Sequence, residues 1–195
     1  MPKTASASVS TLEGLPARAR ILHTAHALFY RDGVRATGID RVIAESGVTK
    51  VTFYRHFPSK NELVLAYLDH RHEHWMQWLH SALERNGSAR KGIRALVPAL
   101  AEWLGDEEFR GCAFLNSVSE LGGALPEVCA VSRNHKADMA AAIAGLLPAS
   151  RQRAKQAAAI ALAVDGAIVQ AQFGETPEAA VKALGTIIDA VCGER

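Results

Sequence analysis

The stretch ATGIDRVIAESGVTKVTFYRHFPSKNEL, residues 36–63, decides how the rest of the chain is read. Thr37-x-x-Asp40 reads as a capping box that opens a short helix carrying Ile39, Val42, Ile43 and Ala44, closed by Gly47 at the C′ position. After Ser46-Gly47-Val48, Thr49 caps a second short helix, Lys50 to His56, which Phe57-Pro58 ends. Two helices of about two turns, joined by a turn of about four residues, have the dimensions of a helix-turn-helix.

On the second helix, Val48, Phe53 and Phe57 make the apolar side, directed at Ile39, Ile43, Leu22 and Phe29. That leaves Thr49, Lys50, Thr52, Tyr54, Arg55 and His56 outward, all donors or cations. A helix about 10–12 Å across fits the major groove of B-DNA, about 12 Å wide. Base readout is expected from Thr49, Lys50, Thr52 and Arg55, while Tyr54 and His56 suit phosphate oxygens. Lys60 opens the next helix, where its charge and the free backbone N–H groups favour another phosphate. On spacing alone, a helical hairpin with a solvated polar face competes with this reading.

Working outward, residues 1–14 are rich in Ser, Thr and Ala without apolar periodicity and read as a mobile tail. From Pro16, residues Ile21, Leu22, Ala25, Leu28 and Phe29 recur at helical spacing until Asp32-Gly33. Ser59-x-x-Glu62 is a second capping box, and a long amphipathic helix follows over 60–85. Further helices are expected near 89–105, 111–121, 126–147, 151–173 and 177–193, punctuated by Gly105, Gly122-Gly123, Pro148 and Gly174. No alternating strand pattern competes, so the fold class is all-α, with about nine helices.

Composition agrees. With 49% hydrophobic and 22% charged residues over 195 positions, the chain can bury a core and is too balanced to be largely disordered. Residues 1–60 hold nine Lys/Arg against four Asp/Glu, a net +5, and the remainder carries −3. A basic segment followed by a mildly acidic one points to a polyanionic partner for the first part only. Cys112, Cys129 and Cys192 are odd in number and widely spaced, which suits a reducing compartment. There is no signal-peptide core and no long uncharged apolar run, so a cytoplasmic protein without membrane partners is expected.

GVTKVTFYRHFPSKNEL, with the residues around it from 18 to 66, strongly resembles the DNA-binding domain of the TetR family of bacterial regulators. The resemblance implies a flexible tail (1–15), a DNA-binding domain (16–60) and a helical bundle for ligand binding and dimerisation (61–195). It also implies phosphate contacts by Tyr54, His56 and Lys60, and by Thr37 at the start of the second helix. Val51 stands where many members carry a small residue. The function then expected is a homodimeric repressor, released from a palindromic operator in double-stranded DNA by a small-molecule effector. The alternative is a DNA-binding adaptor or activator without an effector.

Ile160, Val164 and Ile168 mark one apolar helix, and Val181, Leu184 and Ile188 another, introduced by Thr176-Pro177; together they are the expected dimer face, the alternative being an internal core with no dimer. Trp75, Trp78, Trp103, Phe109 and Phe114 either line an apolar cavity or fill the core, with His74, Asn116 or Glu120 as polar groups that orient a ligand. His70 and His74 lie four apart on one helix, but no third ligand is in reach, so no metal and no cofactor is assigned. Cys112 is either a structural buried thiol or a redox sensor beside Arg110. No nucleophile elbow, phosphate loop or HExxH motif appears, so the chain is not read as an enzyme.

Overall fold

The computed structural model describes residues 14–174 and 176–193, so the expected tail lies outside the described residues but for Gly14 and Leu15. The described chain is helical throughout: α1 (Ala17–Asp32), α2 (Ile39–Ser46), α3 (Lys50–His56), α4 (Lys60–Arg85), α5 (Leu96–Leu104), α6 (Ala113–Leu121), α7 (Pro126–Gly145), α8 (Arg153–Gln172) and α9 (Pro177–Cys192). It forms two compact units, one holding the chain up to Glu73 with Ala113–Ser132, the other His74–Cys112 with the chain from Arg133.

In the first unit α1, α2 and α3 pack on one another. Ile21, Ala25, Leu28 and Phe29 form the buried stripe of α1, at the i, i+4, i+7, i+8 spacing of a core-facing helix. Gly33, at φ 91°, ends α1 in the left-handed half of the backbone map, where a side chain is disfavoured. The expected Thr37 capping box does not form. The N-cap of α2 is Gly38, because the Thr37 hydroxyl turns back to donate to the Gly33 carbonyl at 2.8 Å. Gly47 closes α2 in the left-handed conformation at φ 64°, as its position requires. Thr49 caps α3, its Oγ1 accepting the Thr52 N–H at 3.2 Å, and Ser59 Oγ accepts the Glu62 N–H at 3.2 Å at the head of α4.

Phe53 and Phe57 are buried as expected, with ring centroids 6.3 Å apart. Of the positions expected to face them, Phe29 is buried and Leu22, Ile39 and Ile43 are half-buried, while Ile21 and Val42, each one residue before Leu22 and Ile43, are the deep positions. One residue turns a helix by about 100°, enough to exchange an inward for a lateral position.

In the second unit α8 and α9 make the most extensive helix pair, and α9 also packs on α5. Leu100, Met139, Ile143, Ile160, Val164, Leu184 and Ile188 form its buried core. The helix expected near 89–105 is broken into a turn over Ser88–Lys91, a 3-10 turn over Gly92–Ala95, and α5. Gly92 sits at φ 53°, and a Cβ there would come within 3.0 Å of the Leu146 carbonyl oxygen. Pro98, which lacks an N–H, then falls in the first turn of α5, where no intrahelical donor is needed. Thr176 caps α9 through the Ala179 N–H, with Pro177 as first residue.

Candidate nucleic-acid interface

With Phe53 buried, Lys50, Tyr54 and Arg55 on the other sides of α3 are exposed. Thr52 and His56 are half-buried at the flanks. The Thr49 and Thr52 hydroxyls lie 2.9 Å apart and bond to each other, so the expected base readers at these positions are engaged in holding the helix start. Lys50 Nζ stands 3.7 Å from Asp40 Oδ1, an exposed pair that a phosphate or a guanine edge can replace at little cost. Lys60 is half-buried at the first position of α4. Burial pushes its ammonium pKa down, and the charge of Glu120 acts against that shift.

Thr37 departs from its expected role. It is completely buried, and its hydroxyl is committed to Gly33, so it shapes the turn before α2 and does not present a donor at the surface. A second polar cluster joins the end of α1 to α2. Arg31 Nε and Nη2 donate to the Asp32 carboxylate at 2.8 and 2.9 Å, and Arg41 Nη1 is 2.9 Å from the same group. The Arg31 guanidinium beside Asp32 holds its carboxyl at about 2, below the ordinary 3.8. Arg41 also meets Glu45 at 2.8 Å, one helical turn on.

Glu120 is the residue whose role sequence reasoning missed. Expected among the ligand-orienting groups, it accepts the backbone N–H of Arg35 at 2.6 Å through Oε2. Its carboxylate also lies beside Gly33, 3.3 Å from where a Cβ would stand. Local patterning carries no signal for a bond between residues 85 apart.

The expected pocket residues lie on α4, α5 and α6, with Phe109 between the last two. Trp75, Trp78 and Trp103 do come together, with ring centroids 5.7–6.2 Å apart, and His135 lies 5.1 Å from Trp75. The Trp75 indole N–H is buried without a hydrogen-bond partner. His74 is exposed, because it is a neighbour of the inward Trp75 on the same helix. Phe114 is buried and Asn116 half-buried on α6.

At the expected dimer face, Ile160, Val164, Ile168, Leu184 and Ile188 are buried within a single chain, and Val181 is half-buried. They belong to the core around the α8 and α9 pair, because the inward stripe of each helix is used within the chain. The apolar groups left outward are Leu162 on α8, 75% exposed, and Ile187 on α9, 42% exposed.

Lys136 Nζ stands 3.5 Å from the buried Cys112 Sγ and pairs with Asp165, while Arg110 donates to the Glu107 and Phe109 carbonyls. His70 packs its ring against His23 and His26 of α1, at 5.3 and 5.4 Å between centroids. Among the described residues no group of three or more His, Cys, Asp or Glu side chains is arranged to hold a metal ion, and no helix is long and apolar enough to cross a membrane.

A two-helix reading head with a polar outward face on α3, within an all-helical chain, defines a helix-turn-helix protein. Residues 21–67 match the family described as bacterial regulatory proteins, tetR family. The crystal structure of a TetR-family transcriptional regulator from Streptomyces coelicolor superposes with a TM-score of 0.77 at 30% identity, covering 91% of this chain and 95% of that one. The chain therefore belongs to the TetR family of transcriptional regulators. The HTH-type transcriptional activator FasR of Mycolicibacterium smegmatis is 32% identical over 87 residues, 45% of this chain and 40% of FasR. That match spans about two fifths of FasR's length. The multidrug binding protein EbrR, crystallised with malachite green, shares the fold at a TM-score of 0.66 and 23% identity, over 88% of this chain and 97% of its own.

Proposed function

We propose that the protein is a homodimeric repressor that places two copies of α3 in successive major grooves of a palindromic operator and is released by a small-molecule effector. The observation that carries the reading is the outward face of α3. Lys50, Tyr54 and Arg55 stand exposed on a helix held from behind by Phe53 and Phe57, with Lys60 at the head of the next helix. Lys50 and Arg55 match guanine edges, and Tyr54, His56 and Lys60 match phosphates. The cytoplasm, where the operator lies, is the expected compartment.

Dimerisation is supported by the outward side of α8 and α9. Leu162 and Ile187 are exposed there among small exposed residues, Ala158, Ala159, Gly166, Ala183 and Ala190, so two such helices from each chain can approach closely in a four-helix contact. A two-fold dimer reads two half-sites about 34 Å apart or a multiple of that.

Sensing is supported by the buried indole N–H of Trp75. An unsatisfied buried donor costs about 1–3 kcal/mol, which a ligand carrying an acceptor recovers on binding. The malachite green complex of EbrR gives a precedent on the same fold for binding a small molecule. Activation in place of repression is the second reading, favoured by the likeness to FasR, an activator.

Selection of duplex DNA from a random library by the full chain tests the proposal. Enrichment of an inverted repeat bound by two chains supports it; a single unrepeated site bound by one chain, or no enrichment, overturns it. A reporter promoter carrying the selected site then separates the readings, since expression falls with a repressor and rises with an activator.

A further inference from the structure

Val51 is 71% exposed on α3, among cations and donors. At about 100° per residue, Val51 and Arg55 each lie two residues from the buried Phe53 and hence about 160° from it, so these two side chains point most directly away from the core. Neither folding nor solubility favours a valine there. A β-branched residue is a weaker helix former than alanine, and its exposed methyls gain nothing from water.

We infer that Val51 is a specificity-determining residue that packs its methyl groups on the C5-methyl of a thymine in each operator half-site. The inference rests on the reading of α3 as the helix that enters the major groove. Charge complementarity identifies the occupant: Lys50, Arg55 and His56 on the same helix, with Lys60 beyond it, surround Val51 with groups suited to a polyanion. Within the major groove the other base-edge groups are hydrogen-bond donors and acceptors, and the thymine methyl is the apolar feature that a valine can cover without leaving polar groups unpaired. Thr52, expected among the base readers and carrying a methyl of its own, is half-buried and bonded to Thr49, so it is less available for a thymine contact. Arg55, one turn on from Val51, is placed to read the neighbouring base.

The test uses the full chain and duplexes selected from a random library. Wild-type protein is expected to enrich a site with a thymine in each half. Replacing that thymine by deoxyuridine, which lacks only the methyl, should weaken binding roughly fourfold per half-site, the equivalent of one buried methyl group. Val51→Ala, an exposed change that raises helix propensity, should bind the thymine and uracil duplexes equally. Equal binding of both duplexes by wild-type protein overturns the inference, as does full discrimination by Val51→Ala or a selected half-site without thymine. In those three outcomes sequence-specific binding itself stands. Failure to enrich any sequence instead overturns the reading of α3, and with it the role of Val51.

Discussion

The Glu120 carboxylate of α6 accepts the backbone N–H of Arg35 at 2.6 Å, tying together residues 85 positions apart. The turn it holds, residues 33–37, contains Gly33 at φ 91° and the buried Thr37, whose hydroxyl returns to Gly33. A carboxylate therefore sits beside the turn before α2, within the electrostatic reach of Lys60.

Two substitutions separate its two effects. Glu120→Gln keeps an oxygen that can accept from Arg35 but removes the charge beside Lys60, so affinity for any duplex should rise at low salt while the turn stays ordered. Glu120→Ala also loses the acceptor, and hydrogen exchange at the Arg35 amide should accelerate as the turn loosens. Equal exchange in wild type and Glu120→Ala would show that the bond does not hold the turn.

Lys60 and Tyr54 should differ in their response to salt. Lys60→Ala removes a cation, and the slope of log affinity against log salt should fall in magnitude by about 0.9 for each phosphate lost. Tyr54→Phe removes a neutral donor, so affinity should drop with the slope unchanged. Fluorescence anisotropy over a salt series reads both; a Lys60→Ala slope identical to wild type would remove Lys60 from the phosphate contacts.

Two leucines on α8 and α9 should behave oppositely, because their exposure differs. Leu184 is buried, and Leu184→Ala should destabilise the fold by about 2–5 kcal/mol. Leu162 is 75% exposed, and Leu162→Lys should leave a single chain folded while breaking the proposed dimer into monomers. Thermal melting together with light scattering distinguishes the outcomes; a dimer that survives Leu162→Lys would place the interface elsewhere.

Asp32 predicts an acid dependence. Its folded pKa is about 2 against an ordinary 3.8, lowered chiefly by the hydrogen bonds from Arg31, so the folded state favours the ionised form. The stability contributed by this group is present above about pH 4 and is lost as pH falls towards 2. The pair is a surface one, so its effect near neutrality is small. Carboxyl titration followed by NMR should place Asp32 below the other exposed aspartates, and Asp32→Asn should flatten the stability profile in that acid window. An ordinary titration midpoint would remove the predicted dependence.

The reading head was legible because its determinants are local. Thr49 reaches a backbone N–H three residues away, Gly47 ends α2 by its own conformational freedom, and the spacing of Phe53 and Phe57 marks the inward side of α3. Helix periodicity and capping act within a turn or two of the chain, so they can be read from neighbouring residues. The all-helical class followed from the same local signals.

Which apolar stripe meets which partner was decided only in three dimensions. Ile160, Val164, Ile168, Leu184 and Ile188 have the spacing of an interface, but a stripe does not state whether its cover comes from the same chain. Close packing of α8 with α9, and of α9 with α5, uses those residues internally and leaves Leu162 and Ile187 outside. Thr37 and Glu120 exchanged their expected roles for the same reason. A hydrogen-bonding group takes the partner that folding brings within about 3 Å, and for Glu120 that partner is an amide 85 residues away. The sequence by itself determined most of the helices and the polar face of α3; the tertiary structure decided where the helix expected over 89–105 breaks and which of the remaining side chains face outward.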